Sequence, residues 1–382
     1  MGAGPSQLLA EVDRASQEVG AGSNEFASAL RHVQNMLVQG KCSVDFDPFD
    51  SDDLVVAESE TPFMNPVCVG EDPWIIQHEH NYYWCHAKGD NAIAISVASK
   101  LQGPYCQPII VWQAPAYGPC SQQVWAPELH FLDGRFYIYF AASDGKNENH
   151  LMYVLRSEGK DALGPYSLHG PLATGDGYDG RSPNIWAIDL TVLKHQNQLY
   201  AVWSGWDQPG SDRQYLYIAR MANPITIAGP RVRLSDNSSF VWERIEETVH
   251  SPGLNEGPQV LQTSGGRTFI VYSCGASWLP TYKLGLLELV GSDPLRPGAW
   301  KKHSQPAFRS SNATFGVGHS CFVPSPDKTE LWHVYHTKMS SKPGWTDRCV
   351  FMQQMSFKAN GVPDFGAAVK PGEIIQSPSG TN

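Results

Sequence analysis

No apolar run in this chain approaches the roughly 20 residues that a membrane-spanning helix needs, and charged residues make up only 17% of it. Lys and Arg number 28 against 38 Asp and Glu, a formal net charge of −10. That deficit of positive charge argues against nucleic acid and anionic membrane surfaces as partners. The eight cysteines (42, 68, 85, 106, 120, 274, 321 and 349) form no CxxC pair and no metal-finger spacing, so buried free thiols are expected rather than a disulfide framework. The first residues lack a basic stretch followed by an apolar one, so no secretory leader is visible. Beyond residue 50 there is also no extended helical periodicity, which excludes an alternating β/α barrel.

What remains is strand-like and repetitive. Val124-Trp125-Ala126-Pro127-Glu128-Leu129-His130-Phe131-Leu132 is followed by the turn Asp133-Gly134 and by Phe136-Tyr137-Ile138-Tyr139-Phe140. A similar order of events surrounds Asp72, Asp189, Glu256 and His319, and the intervals from Asp72 through Glu128 to His319 are 56, 61, 67 and 63 residues. Gly103-Pro104-Tyr105 and Gly164-Pro165-Tyr166 fall at matching places in the first two copies. A repeated unit that cannot bury its faces alone must stack on its neighbours. Short alternating strands between Gly, Pro and Asp turns, four to a copy, indicate an all-β fold. Five such copies predict a five-bladed β-propeller. Residues 56–382 are assigned to it, and residues 1–55 to a short N-terminal helical or disordered extension with an acidic linker, because Leu8, Leu9, Val12 and then Phe26, Leu30, Val33, Met36 and Leu37 fall at helical spacing.

The innermost strand of each blade faces a central channel, so Asp72, Glu128, Asp189, Glu256 and His319 are expected to converge at one funnel. Crowded carboxylates repel and shift one another's pKa, an arrangement suited to glycosidic bond hydrolysis, in which one group donates a proton and another activates water. Asp72 and Trp74 lie two apart on a strand and are expected to share the funnel face, with the Trp74 ring offered to a sugar's C–H surface. Glu128 is expected to be structural. His78-Glu79-His80 aligns with hairpin turns and is read as a turn rather than a metal pair. The sequons at Asn237 and Asn312 would permit glycosylation in a secreted protein, although such triplets also arise by chance.

Gly70-Glu71-Asp72-Pro73-Trp74, Trp125-Ala126-Pro127-Glu128, Trp186-Ala187-Ile188-Asp189, Asn255-Glu256-Gly257-Pro258 and Gly318-His319 together resemble the signature set of glycoside hydrolase family 43. The resemblance covers roughly residues 60–370, and the fuller blocks are most similar to exo-acting α-L-arabinofuranosidases that trim α-1,5-linked arabinan. It implies that Asp72 is the general base, Glu256 the general acid, and Asp189 the residue that orients Glu256 and raises its pKa, with inversion in a single displacement. It further implies Trp74, Trp125, His319 and Arg348 as substrate-binding residues, with Arg348 just before an inner strand at Cys349 to Met355, and His319 beside a hydrated cation such as calcium in the axial channel. No organic cofactor is expected, and the substrate would be arabinan or arabino-oligosaccharides, handled by a monomer. Rival readings are a β-xylosidase or an endo-arabinanase with the same three carboxylates, or a carbohydrate-binding propeller that has lost catalysis. The missing leader gives an expectation of an intracellular protein, with secretion as the alternative.

Overall fold

The computed structural model describes residues 62–176, 184–211, 213–311 and 313–381. The amphipathic segments expected before residue 55 lie outside these. Five antiparallel sheets follow one another along the chain. Blade I comprises Trp74–His78, Asn81–Ala87, Ala92–Ala98 and Ile109–Gln113. Blade II comprises Gln122–Leu132, Arg135–Ser143, Leu151–Ser157 and Tyr166–His169. Blade III is built on Ala187–His195, Gln198–Trp206 and Gln214–Asn223, with Thr226–Ile227 and Val232–Arg233 both pairing outside its third strand. Blade IV comprises Asn255–Gln262, Thr268–Cys274, Lys283–Leu289 and Trp300–Lys302. Blade V comprises Phe315–Pro324, Leu331–Lys338 and Arg348–Phe357.

Blade V borrows a further strand from the other end of the propeller. Cys68–Val69 pairs with Val350 and Cys349, and Phe63–Met64 pairs with Ile375 and Ile374. Between them the Asn65 side chain both donates to the Met352 carbonyl and accepts from its N–H. The ring is therefore closed by main-chain pairing between residues far apart in sequence. Arg348 consequently opens the third strand of blade V, where an inner strand was expected; the innermost strand is Phe315–Pro324, which carries His319.

Each blade buries its two faces against its neighbours, as the alternating apolar positions require. Five separate apolar clusters fill the five seams between blades I and II, II and III, III and IV, IV and V, and V and I. Trp203, fully buried in the second of these, is the kind of residue whose truncation to Ala costs about 3–5 kcal/mol. The matching Gly-Pro-Tyr corners adopt the same local structure. In each the Tyr hydroxyl donates to a carbonyl four residues back, Leu101 for Tyr105 and Ala162 for Tyr166. The segment His78-Glu79-His80 is the expected hairpin turn, with Glu79 left-handed at φ 54°. The described cysteines are free, and five of the seven are buried. Asn237 is wholly buried, its amide donating to the Gln214 and Gly253 carbonyls, so that sequon is not open to a glycan in the folded protein.

Candidate active site

The inner strands share a local irregularity that places the functional side chains. The register between the first two strands slips between Trp125 and Glu128, between Ile188 and Thr191, between Glu256 and Gln259, and between Gly318 and Cys321. Each slip contains one left-handed residue: Ala126 (φ 43°), Asp189 (57°), Gly257 (52°) and His319 (47°). In blade I the corresponding residue is Asp72 (φ 45°), just before the strand. These are β-bulges, which bend a strand and re-aim a side chain. A non-glycine residue held left-handed costs on the order of 1–3 kcal/mol, so four of them repeated around one axis mark a functional site.

The bulges also correct the spacing-based alignment. The equivalent of Asp72 in blade II is Ala126, and in blade IV it is Gly257. Glu128 and Gln259 stand two residues further along and meet each other across the ring: Gln259 Nε2 donates to Glu128 Oε1 at 2.6 Å, and His130 Nε2 lies 2.9 Å from Glu128 Oε2. Glu128 is thus a buried, hydrogen-bonded carboxylate, as expected for a structural role. Gly257 is required where it is. A Cβ there would meet His319 Nδ1 at 3.2 Å and Ser273 Oγ at 3.3 Å.

Asp72 is held by three groups. His319 Nδ1, His336 Nδ1 and Arg348 Nη1 approach its Oδ1 at 3.2, 3.3 and 3.6 Å. Its backbone N–H donates to His336 Nδ1 at 3.2 Å, so that nitrogen is the unprotonated one. Burial pushes the His336 imidazole down to about 4 despite the neighbouring carboxylate, which makes it neutral. Burial would raise Asp72, but the His319 and Arg348 charges beside it hold the carboxyl far below the usual range. Because the His319 and Arg348 contacts both fall on Oδ1, Asp72 is an ionised carboxylate whose Oδ2 is left for another donor.

Asp189 and Glu256 are the opposite case. Asp189 is 4% exposed, and its Oδ2 accepts the Gly257 N–H at 2.9 Å. Glu256 Oε1 accepts from the Tyr282 hydroxyl at 2.8 Å and its Oε2 from Gln214 Nε2 at 3.1 Å. Burial is the largest cause that raises both carboxyls; mutual repulsion adds to it at Asp189, and Asp72 adds to it at both. The pair titrates as a unit and retains a proton above the ordinary carboxylate range. His319 lies among these groups. Burial alone would lower it, but Asp72, Asp189, Glu128 and Glu256 raise it above the usual histidine value. The His319 backbone N–H donates to Ser273 Oγ at 2.8 Å.

Of the residues singled out by sequence, Asp72, Asp189, Glu256, His319 and Arg348 are brought together. Trp74 is not placed by strand alternation, because Asp72 precedes the strand and is left-handed. Its indole Nε1 donates to the Leu129 carbonyl at 2.7 Å, and its ring lies 4.7 Å from His130, between blades I and II. Trp125 stacks on the buried His150 at 3.7 Å. Tyr282, Gln214, His336 and Ser273 were not anticipated. His336 lies in the second strand of blade V, Leu331–Lys338, and nothing in the local sequence marks it, Gln214 or Tyr282. Among the described residues, no three His, Cys, Asp or Glu side chains converge as a metal-ligand set. With Nδ1 turned to Asp72, His319 offers a cation one ring nitrogen. That donor set fits an ion that keeps most of its water, not one caged by protein oxygens.

Residues 63–363 match the family model described as Glycosyl hydrolases family 43. Two relatives are an extracellular exo-α-(1→5)-L-arabinofuranosidase of Streptomyces avermitilis, 33% identical over 83% of this chain, and α-L-arabinofuranosidase 43 of Humicola insolens, 32% identical over 79%. The aligned region spans 66% and 62% of their lengths. Among solved structures, an α-L-arabinofuranosidase from Lactobacillus brevis superimposes with a TM-score of 0.72 at 31% identity, covering 81% of this chain and 97% of that one.

The crowding at Asp189 has a measurable consequence for stability. A carboxyl whose folded pKa is raised contributes fully below the unfolded carboxyl range, near 4, and loses that contribution as pH rises through the folded value. Asp189→Asn keeps an acceptor for the Gly257 N–H but removes the charge. Thermal unfolding of this variant should run at least about 2 °C above the original protein at pH 8, with the gain shrinking toward pH 4. A variant no more stable at pH 8 would contradict the repulsion.

Proposed function

The chain belongs to glycosyl hydrolase family 43, and from that premise we propose that it releases terminal L-arabinofuranose from α-1,5-linked arabinan or arabino-oligosaccharides with inversion. The observation that carries the reading is the division of labour among three carboxyls at one end of the channel. Asp72 is held ionised by His319 and Arg348, while Asp189 and Glu256 are pushed toward retaining a proton. The relatives named as arabinofuranosidases support the substrate class.

In this mechanism a water held at Asp72 Oδ2 attacks the anomeric carbon on the face opposite the leaving oxygen. Asp72 takes a proton from that water as the new C–O bond forms. Glu256 gives its proton to the glycosidic oxygen as the old C–O bond breaks, and the electron pair of that bond leaves with the oxygen. Asp189, ionised beside it and bonded to the Gly257 N–H, favours the protonated state of Glu256 by repulsion. Tyr282 and Gln214 fix the direction of the Glu256 carboxyl. Afterwards Asp72 returns its proton to solvent and Glu256 regains one. A carbohydrate-binding propeller without catalysis gains no support, since it has no need of carboxyls poised in opposite protonation states.

Glu256→Gln preserves shape and removes the transferable proton. Arabinotriose hydrolysis should fall by about 100- to 10,000-fold, and an aryl arabinofuranoside with an activated leaving group should lose much less. Equal losses on both substrates would remove Glu256 from the role of acid.

The proposal includes a hydrated cation such as calcium at His319. Its charge would offset the repulsion among Asp72, Asp189 and Glu256. Exhaustive chelation should then lower the thermal midpoint by about 2 °C or more, with calcium restoring it. An unchanged midpoint, with no metal found by elemental analysis, would leave His319 as an imidazole serving the carboxyls alone.

A further inference from the structure

Beyond the carboxyls, the same end of the propeller carries an exposed aromatic that the mechanism does not use. Lys338 pairs with Phe315 at the start of the blade V inner strand, and Cys274 pairs with Asn255 at the start of the blade IV inner strand. The loop after Lys338 and the loop after Cys274 therefore both leave from the end where Glu256 and His319 sit. Trp345, in the first of these loops, is 53% exposed and is the one tryptophan among the described residues that is mostly open to solvent. Trp278, in the second, meets it nearly edge to face at 5.4 Å and 62°.

This exposure is built rather than incidental. The Trp345 indole Nε1 donates to Ser277 Oγ at 3.1 Å, and the Gly344 N–H donates to the Trp278 carbonyl at 2.8 Å. Beneath the loop, Lys338 is 1% exposed; its ammonium donates to the Gly344 carbonyl and pairs with Asp347. The other Asp347 oxygen accepts from the Ser340 N–H and hydroxyl at 2.9 and 2.7 Å. A buried, paired lysine under a short loop fixes the ring above it. The loop is also tied to the site, because Arg348 Nε donates to the Trp345 carbonyl at 3.2 Å while Arg348 Nη1 reaches Asp72. The second loop ends at Tyr282, which donates to Glu256. The aromatic pair thus stands on the two segments that hold the base and the acid.

A rigid indole with its polar edge satisfied, met by Trp278 yet still 53% exposed, leaves an apolar surface that the chain itself does not cover, the mark of a binding surface. We propose that Trp345, backed by Trp278, is a platform on which the sugar next to the cleaved one stacks, so that it sets preference for oligosaccharides over single arabinofuranosides. This rests on the exo-acting reading above: when the terminal sugar occupies the carboxyl cluster, the rest of the chain runs outward past the loops at this end. An aromatic ring suits it because its flat apolar face matches the C–H surface of a sugar.

Trp345→Ala should lower kcat/KM on α-1,5-arabinotriose by about tenfold, mostly through KM, and Trp345→Phe should recover most of it. Activity on α-L-arabinofuranosyl fluoride, whose leaving group is one atom, should change by less than about twofold. An unchanged rate on the trisaccharide, or an equal fall on the fluoride, would overturn the platform. If the unaltered protein cleaved neither substrate, the functional reading itself would fall, and the platform with it.

Discussion

Three carboxyls share a small volume at the channel end, and the rest of the site depends on how their repulsion is resolved. Asp72 is balanced by contact, with His319 and Arg348 both turned to one of its oxygens. Asp189 and Glu256 are not matched by a cation of their own and are pushed instead toward holding a proton. One cluster therefore contains both a carboxylate ionised at rest and a proton-bearing pair. Two neighbouring titratable groups whose environments drive their pKa values apart are the physical requirement for concerted acid and base chemistry.

That resolution needs the backbone to deliver side chains where a regular strand would not. The left-handed residues Ala126, Asp189, Gly257 and His319 interrupt four inner strands and Asp72 precedes the fifth, and the strain is held by the closed ring around them. Five apolar seams and the pairing of Cys68–Val69 with the last blade leave the inner strands little freedom to relax. Gly257 shows how tight the packing is, since its missing Cβ is what admits His319 and Ser273. Scaffold rigidity and site geometry are one property here.

The five-bladed architecture was legible because strand alternation and turn residues report on local structure, and the repeat reports on how copies stack. Asp72, Asp189, Glu256, His319 and Arg348 were legible as members of repeated or recognisable motifs. The bulge was not legible as such. A left-handed Ala126 or Asp189 is a response to tertiary context, so spacing alone put Glu128 in the place that Ala126 occupies, and alternation alone put Trp74 beside Asp72. Tyr282, Gln214 and His336 were missed for a related reason. They come from a loop and from strands outside the innermost ones, and they reach the carboxyls through contacts within blade IV, between blades III and IV, and across the ring's closure. Cys68–Val69 as part of blade V likewise depends on pairing with Val350 and Cys349 at the far end of the chain, which no local pattern records.

The account makes Asp72 and Glu256 partners in one displacement, with water entering opposite the departing oxygen. Proton NMR of the first sugar released from arabinotriose, recorded before mutarotation, tests this most directly. The account predicts β-arabinofuranose appearing first, with the α anomer growing in later. Initial appearance of α-arabinofuranose would mean two displacements through a covalent intermediate, and would contradict the assignment of Asp72 as a base acting on water.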